Sequence, residues 1–179
     1  MKIKKLLPSF LILISLGQVS IAQDKPSLKG TMFNQIGHET GLDPLLLYSI
    51  ALTESAISQG KGFIRPHPYV FRSNVGGPKY FDTKEKAAQA LKEILNKTAN
   101  IDVGMMQINL KYHPQPDPSL LFDAEHNLQI AATILKEALS TSTDPIIGVG
   151  RYHSSTPHRT LWYGRRVWKT YQNLTDIFE

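Results

Sequence analysis

The sequence predicts a mainly α-helical single domain with one small β-hairpin excursion around residues 69–81. Three observations carry this. Apolar residues recur at helical spacing in separate segments between residues 31 and 171. Most of those segments open on a capping residue, at Asp43, Asp82, Asp123 and Asp144. Between them, Gly60, Gly62, Pro66, Pro68, Gly76, Gly77 and Pro78 punctuate a stretch that cannot be one helix. The 179 residues suit one domain once a leader is removed, and 41% apolar content supports a real core. A charged fraction of 20% is too low for a disordered chain.

Residues 23–30 are polar, with Pro26 and Gly30, and read as a frayed lead-in. Thr31 to Thr40 makes a short helix with Phe33 and Ile36 on one side, stopped by Gly41. Asp43 caps the next helix, and Pro44 suits its first position because proline has no N–H to leave unpaired. Tyr69–Arg72 and Lys79–Phe81 are β-prone pieces around Gly76-Gly77, which gives the hairpin. Asp82 to Glu85 has capping-box spacing, followed by a stripe of Ala87, Ala88, Leu91, Ile94 and Leu95. Pro114, Pro116 and Pro118 make a rigid loop. Asp123 then caps a helix with Leu128, Ala131, Ile134, Leu135, Ala138 and Leu139 inward. Asp144-Pro145 opens a short helix through Tyr152, and a last helix starts near Pro157.

Residues 1–22 read as a secretory signal. Lys2, Lys4 and Lys5 precede a mostly apolar run from Leu6 to Leu16, and Ser20-Ile21-Ala22 offers small residues for cleavage near Ala22. The expected mature chain, 23–179, is exported to the periplasm. The formal charge is +5, but without the three leader lysines 17 basic side chains face 15 acidic ones. That balance gives no reason to expect a nucleic-acid partner. The chain has no cysteine, so neither a disulfide nor a lipid on an N-terminal cysteine is expected.

The chemistry is expected on the helix after Asp43. Stepping back from Glu54 by three, four and seven residues reaches Ala51, Ile50 and Leu47, so this glutamate lies on an apolar face. A carboxyl surrounded by hydrocarbon resists ionising, which raises its pKa towards neutrality. A proton-donating carboxylic acid needs that property.

Three stretches in order, Glu54-Ser55, Gly104-Met105-Met106-Gln107-Ile108-Asn109 and Arg151-Tyr152-His153-Ser154-Ser155, resemble the motifs of the soluble-lytic-transglycosylase family. The resemblance runs over roughly residues 31–172 by sequence-level alignment. It implies a lysozyme-like fold and cleavage of the β-1,4 bond between N-acetylmuramic acid and N-acetylglucosamine in peptidoglycan glycan strands. It further implies Glu54 as acid/base and Tyr152 as the tyrosine directed at its carboxyl. Ser55, Gly104, Met105, Met106, Gln107, Asn109 and His153 become substrate-cleft residues, and Asn127 falls at the start of the helix between the second and third motifs. The third motif departs from the usual Ala-Tyr-Asn-Ala-Gly, with His153 in the asparagine's place. Ile101-Asp102-Val103 before Gly104 and Lys111-Tyr112-His113 after Asn109 resemble a subgroup that accompanies conjugation and type IV secretion machinery, which enters as a partner class. The enzyme is expected to act as a monomer without metal or organic cofactor.

Two alternatives stand beside this reading. A muramidase hydrolysing the same bond needs a second carboxylate facing Glu54. Asp102 is the nearest motif-linked one, and Asp82 is more simply a helix cap. A non-catalytic peptidoglycan-binding module is the other alternative. The six histidines show no close ligand spacing such as HExxH, so no metal site is expected. His113 reads as a loop residue. Trp162, Tyr163 and Trp168 read as core anchors, one of them available as a sugar-stacking platform. Arg165, Arg166 and Lys169 read as a solvated basic face, less often a contact for acidic peptide stems.

Overall fold

The computed structural model describes residues 25–178, and the leader read at 1–22 lies outside them. Helices α1 (Met32–Thr40) and α2 (Pro44–Ser55) come first. Strands β1 (Ala56–Gly60), β2 (Phe63–Pro66), β3 (Val70–Ser73) and β4 (Gly77–Tyr80) follow, then α3 (Lys84–Leu95), β5 (Ile101–Val103) and β6 (Ile108–Asn109). A 3₁₀ turn over Pro118–Phe122 leads into α4 (Ala124–Ser140), α5 (Pro145–His153) and α6 (Pro157–Phe178). The fold is mainly α, as the periodicity predicts. No helix among the described residues is long and apolar enough to cross a membrane.

Local chemistry accounts for the helix ends. Thr31, Asp43, Asp123 and Asp144 each accept a backbone N–H of the first turn with a side-chain oxygen. Gly41 closes α1 in the left-handed conformation. The cap of α3 is Thr83 rather than Asp82: its hydroxyl accepts from the Lys86 N–H at 3.3 Å. Asp82, one residue too early, instead pairs with the Lys86 ammonium at 3.1 Å.

The β part is larger than one hairpin. β3 and β4 pair from Val70↔Tyr80 to Ser73↔Gly77, as expected, but they belong to an antiparallel sheet of order β4-β3-β5-β6. Its far half is built from the second motif and the three residues that lead into it, with Asp102 opposite Asn109. A separate hairpin, β1–β2, follows α2 directly and turns at Gly60-Lys61-Gly62, all at positive φ. Its glycines read as breakers in the sequence, yet here they form the turn.

Helix α2 is the centre of the packing, lying against α1, α6 and β2. Leu47, Ile50 and Ala51 are fully buried beside Ile36, Met106, Leu128, Leu135 and Val167 of the same core. Among the buried polar groups, one ties two elements of that core together. Asn127, fully buried in the first turns of α4, accepts the Met106 N–H at 2.8 Å and donates to the Val103 carbonyl at 3.0 Å. It clamps both ends of the turn that joins β5 to β6. Gly104 sits inside the clamp at φ 80°, where a Cβ would run into the Asn127 amide and the Leu121 carbonyl.

Removing the clamp leaves two buried backbone groups unpaired. Asn127→Ala should therefore lose about 3 kcal/mol of unfolding free energy, whereas the exposed Gln129→Ala stays within about 0.5 kcal/mol. Urea denaturation monitored by circular dichroism checks both.

Candidate active site

Glu54 occupies the last turn of α2, immediately before the chain turns into β1. Seven of the twelve residues of this helix are buried, so the carboxyl emerges from a nearly enclosed element. Glu54 itself keeps part of its surface. Burial dominates its electrostatics and pushes its pKa up from 4.5 to about 7. A hydrogen-bonding approach from Tyr163 opposes this, the charge of Asp102 adds to it, and the Arg166 and Arg72 guanidiniums oppose it more weakly.

Ser55 does not face that carboxyl. It is buried, its hydroxyl donates to the Ala51 carbonyl at 3.0 Å, and it accepts from the His67 N–H at 3.2 Å. Its role is to tie the end of β2 back to α2, and it has no free face for a sugar.

The second motif reaches the site through its backbone and its polar side chains. Met105 and Met106 are 1% and 0% exposed, so their side chains belong to the core rather than to an open apolar wall. Gln107 is the polar group that stays accessible. It holds a left-handed φ of 50°, unusual for a residue with a side chain, and its Nε2 donates to the Gly104 carbonyl at 2.8 Å. Asn109 is half-buried, and its amide donates to Asp102 at 2.7 Å and to Asn100 at 2.9 Å. Asp102 is held at the site in this way, with its own pKa raised by burial against the Asn109 hydrogen bond.

Helices α5 and α6 close the third side. Their crossing is tight because Gly150 lies against the Thr160 carbonyl and Gly164 against the Ile146 carbonyl, where any Cβ would collide. This brings Tyr152 and His153 of α5 onto Tyr163 of α6. The His153 and Tyr163 rings stack at 4.6 Å and 7°, and Tyr152 lies 6.4 Å from Tyr163. The Tyr152 hydroxyl donates to the Met106 carbonyl at 2.7 Å, so it is bonded to the motif backbone rather than to Glu54. Burial, then the Glu54 charge, raises its pKa well above 10. His153 goes the other way: partial covering of the ring lowers its pKa, and Asp102 offsets this in part.

Tyr163 is the core anchor that the sequence predicts, and it also reaches the site, which the sequence reading does not include. It is indeed buried, 2% exposed, but its hydroxyl forms no hydrogen bond within 3.5 Å. Burial first, and then the Glu54 charge, raise its pKa well above 10. The contact with Glu54 is a loose approach rather than a formed bond. The available signal was slight, a tyrosine instead of phenylalanine one turn before the apolar Val167.

The structure thus assembles Glu54, Asp102, Tyr152, His153 and Tyr163 from four elements, with Gln107 in the intervening turn. The hollow beside α3 carries two exposed carboxyls, Glu85 and Asp117, whose pKa values are lowered by local hydrogen bonds, and neither it nor the hollow beside the start of α2 (Asn34, Asp43) holds a buried carboxyl with a raised pKa. Among the described residues no three His, Asp or Glu side chains cluster as a metal site. The chemistry the cluster supports is proton transfer by one carboxyl poised between its two states.

Neither a curated protein nor a solved structure matches the chain. The sequence model described as the Transglycosylase SLT domain, however, matches residues 31–174, which spans every element from α1 to most of α6. The chain therefore belongs to the SLT transglycosylase family, the peptidoglycan lytic transglycosylases with a mainly α, lysozyme-like domain.

Proposed function

We propose that the protein cleaves the MurNAc-β-1,4-GlcNAc bond with Glu54 as both acid and base, leaving 1,6-anhydro-MurNAc ends. The observation that carries this reading is a single carboxyl with a pKa of about 7, partly open to solvent, among groups that respond to its charge. Protonated Glu54 gives its proton to the glycosidic oxygen as the bond breaks, while the N-acetyl carbonyl assists at the anomeric carbon. Ionised Glu54 then takes the proton of the muramoyl O6 hydroxyl, and the 1,6-anhydro ring closes without water. Proton count is conserved, since the group returns to its starting state. A pKa near the working pH serves both half-steps.

Tyr152 acts from the Met106 carbonyl as a fixed wall, and Tyr163 offers its hydroxyl to the ionised carboxyl. Gln107 and the backbone of Gly104–Met106 line the cleft, with Asn109 holding Asp102 and His153 covering Tyr163. In this reading the segment 1–22 acts as an export leader to the periplasm, and the enzyme, working as a monomer, opens the wall locally for a secretion or conjugation apparatus. One observation favours a second reading. Asp102 shares the site with Glu54 strongly enough to raise its pKa, so a hydrolase with two carboxyls is the competing mechanism.

Mass spectrometry of digested peptidoglycan separates the two. Anhydro-muramoyl ends should form with the native protein and vanish with Glu54→Gln, whereas hydrated reducing ends would establish the hydrolase. A pH profile tests the electrostatics. Because the first step needs protonated Glu54, kcat/KM should fall as pH rises through about 7. Asp102→Asn still accepts from Asn109 but removes the negative charge, so the falling limb should move to lower pH. Stability supplies a third check. The folded state binds the Glu54 proton more tightly than the unfolded chain, so the site destabilises the protein increasingly from pH 4.5 to about 7 and fully above. Glu54→Gln should gain about 3 kcal/mol at pH 8, with the gain gone at pH 4, by denaturant titration.

A further inference from the structure

The last helix carries a second feature that the chemistry of Glu54 does not use. Arg159, Trp162, Arg166 and Lys169 follow one another at spacings of three, four and three, which sets them along one stripe of α6. All four are exposed, and Trp162 is 58% exposed, an unusual state for the largest apolar side chain of a small domain. It is therefore not a core anchor. The Arg166 guanidinium lies over its ring at 5.6 Å. The stripe borders the site: Tyr163, the next residue, packs on His153 and approaches Glu54. Arg159 and Arg166 both act electrostatically on His153, as does Arg72, which is exposed on β3 directly across the strand pair from Asp102.

None of these guanidiniums forms an ion pair within 4 Å, and Arg72 and Arg166 act on Asp102 and Glu54 only from farther away. Among the described residues the only ion pair within 4 Å is Lys86–Asp82, far along the chain on α3. An exposed indole beside unpaired guanidiniums matches a ligand that offers an apolar sugar face together with carboxylates. Peptidoglycan strands offer both where the muramoyl residue bears its peptide stem, whereas a strand stripped of stems offers only the sugar.

We propose that Arg159, Trp162 and Arg166 of α6, with Arg72 of β3, form a subsite for stem-bearing muramoyl residues. Trp162 stacks on a pyranose ring, Arg166 is held in place by the indole and receives a stem carboxylate, and Arg72 and Arg159 supply the surrounding positive field. The inference rests on the reading of the Glu54 cleft as a glycan-cleaving site, and makes the enzyme selective for peptide-substituted strands over bare ones.

The test is binding by the Glu54→Gln protein, titrated calorimetrically at low salt with two soluble tetrasaccharides, one bearing tetrapeptide stems and one stripped by an amidase. The stem-bearing ligand should bind roughly tenfold more tightly. Adding Arg166→Ala should erase most of that preference while leaving the stripped ligand's affinity within about twofold, and Trp162→Ala should weaken both ligands and, by freeing Arg166, also reduce the preference. Both side chains are exposed, and circular dichroism checks that the fold persists. Equal affinity for the two ligands, or an equal loss for both on Arg166→Ala, overturns the subsite. Cleavage assays with the native protein keep the two readings apart. A native protein that cleaves neither substrate, with the stem preference in binding intact, sinks the catalytic reading and leaves the subsite standing.

Discussion

The site depends on one buried amide. Asn127 holds both ends of the turn between β5 and β6, and it does so from a helix whose start is fixed by the Asp123 cap. Only a glycine at 104 permits the amide to come that close. Once the turn is fixed, the Met106 carbonyl becomes a stationary acceptor, and Tyr152 bonds to it from α5. The glycines at the α5–α6 crossing then determine where Tyr163 stands relative to Tyr152, and so where it meets Glu54. A hydrogen-bonded polar group inside an apolar core admits few alternative arrangements, because each alternative strands a buried donor or acceptor. Asn127 therefore acts as the point from which the second and third motifs are referenced to each other.

Glu54 shows how competing electrostatic effects are decided by magnitude. Two guanidiniums and a tyrosine hydroxyl all favour its charged form, yet burial wins and the pKa rises. The arginines are exposed, so water screens them, whereas nothing screens the loss of hydration at the end of α2. The unbonded Tyr163 hydroxyl fits the same economy. A neutral carboxyl makes a weaker demand for donors than a carboxylate, and the hydroxyl is in place when the proton leaves.

The helices and the position of Glu54 were legible because their signals are local. Asp43-Pro44, Asp123 and Asp144-Pro145 each bring the cap and the first turn within a few residues, and the apolar stripe behind Asp43 already points Glu54 into hydrocarbon. The β1–β2 hairpin was not legible, since Gly60 and Gly62 announce a break without saying that the chain pairs across it. The four-stranded sheet was only half visible for a related reason: β5 and β6 are three and two residues long and owe their existence to long-range pairing with β3. Ser55, Met105 and Met106 lie in the motifs that carry the resemblance, but a motif records proximity to the site without saying which way a side chain turns. The place of Tyr163 in the site was missed on the same ground, as burial and function coincide in one residue. Trp162 was the reverse case, an aromatic assumed inside that the fold leaves outside.

Asp102 bears on the choice between the two proposed mechanisms through its contacts. A second catalytic carboxylate must present an oxygen to water or to the anomeric carbon, and must be charged when it does so. Asp102 does not meet the first condition freely: the Asn109 amide takes one oxygen at 2.7 Å, and the strand pairing holds it opposite Arg72. What it does without moving is raise the pKa of Glu54. A charge that keeps the acid protonated helps a mechanism in which one carboxyl makes both proton transfers. For a hydrolase it would have to leave Asn109 first. The fixed position of Asp102 thus weighs towards Glu54 working alone, with the substrate's own N-acetyl and O6 groups supplying what a second carboxylate otherwise would.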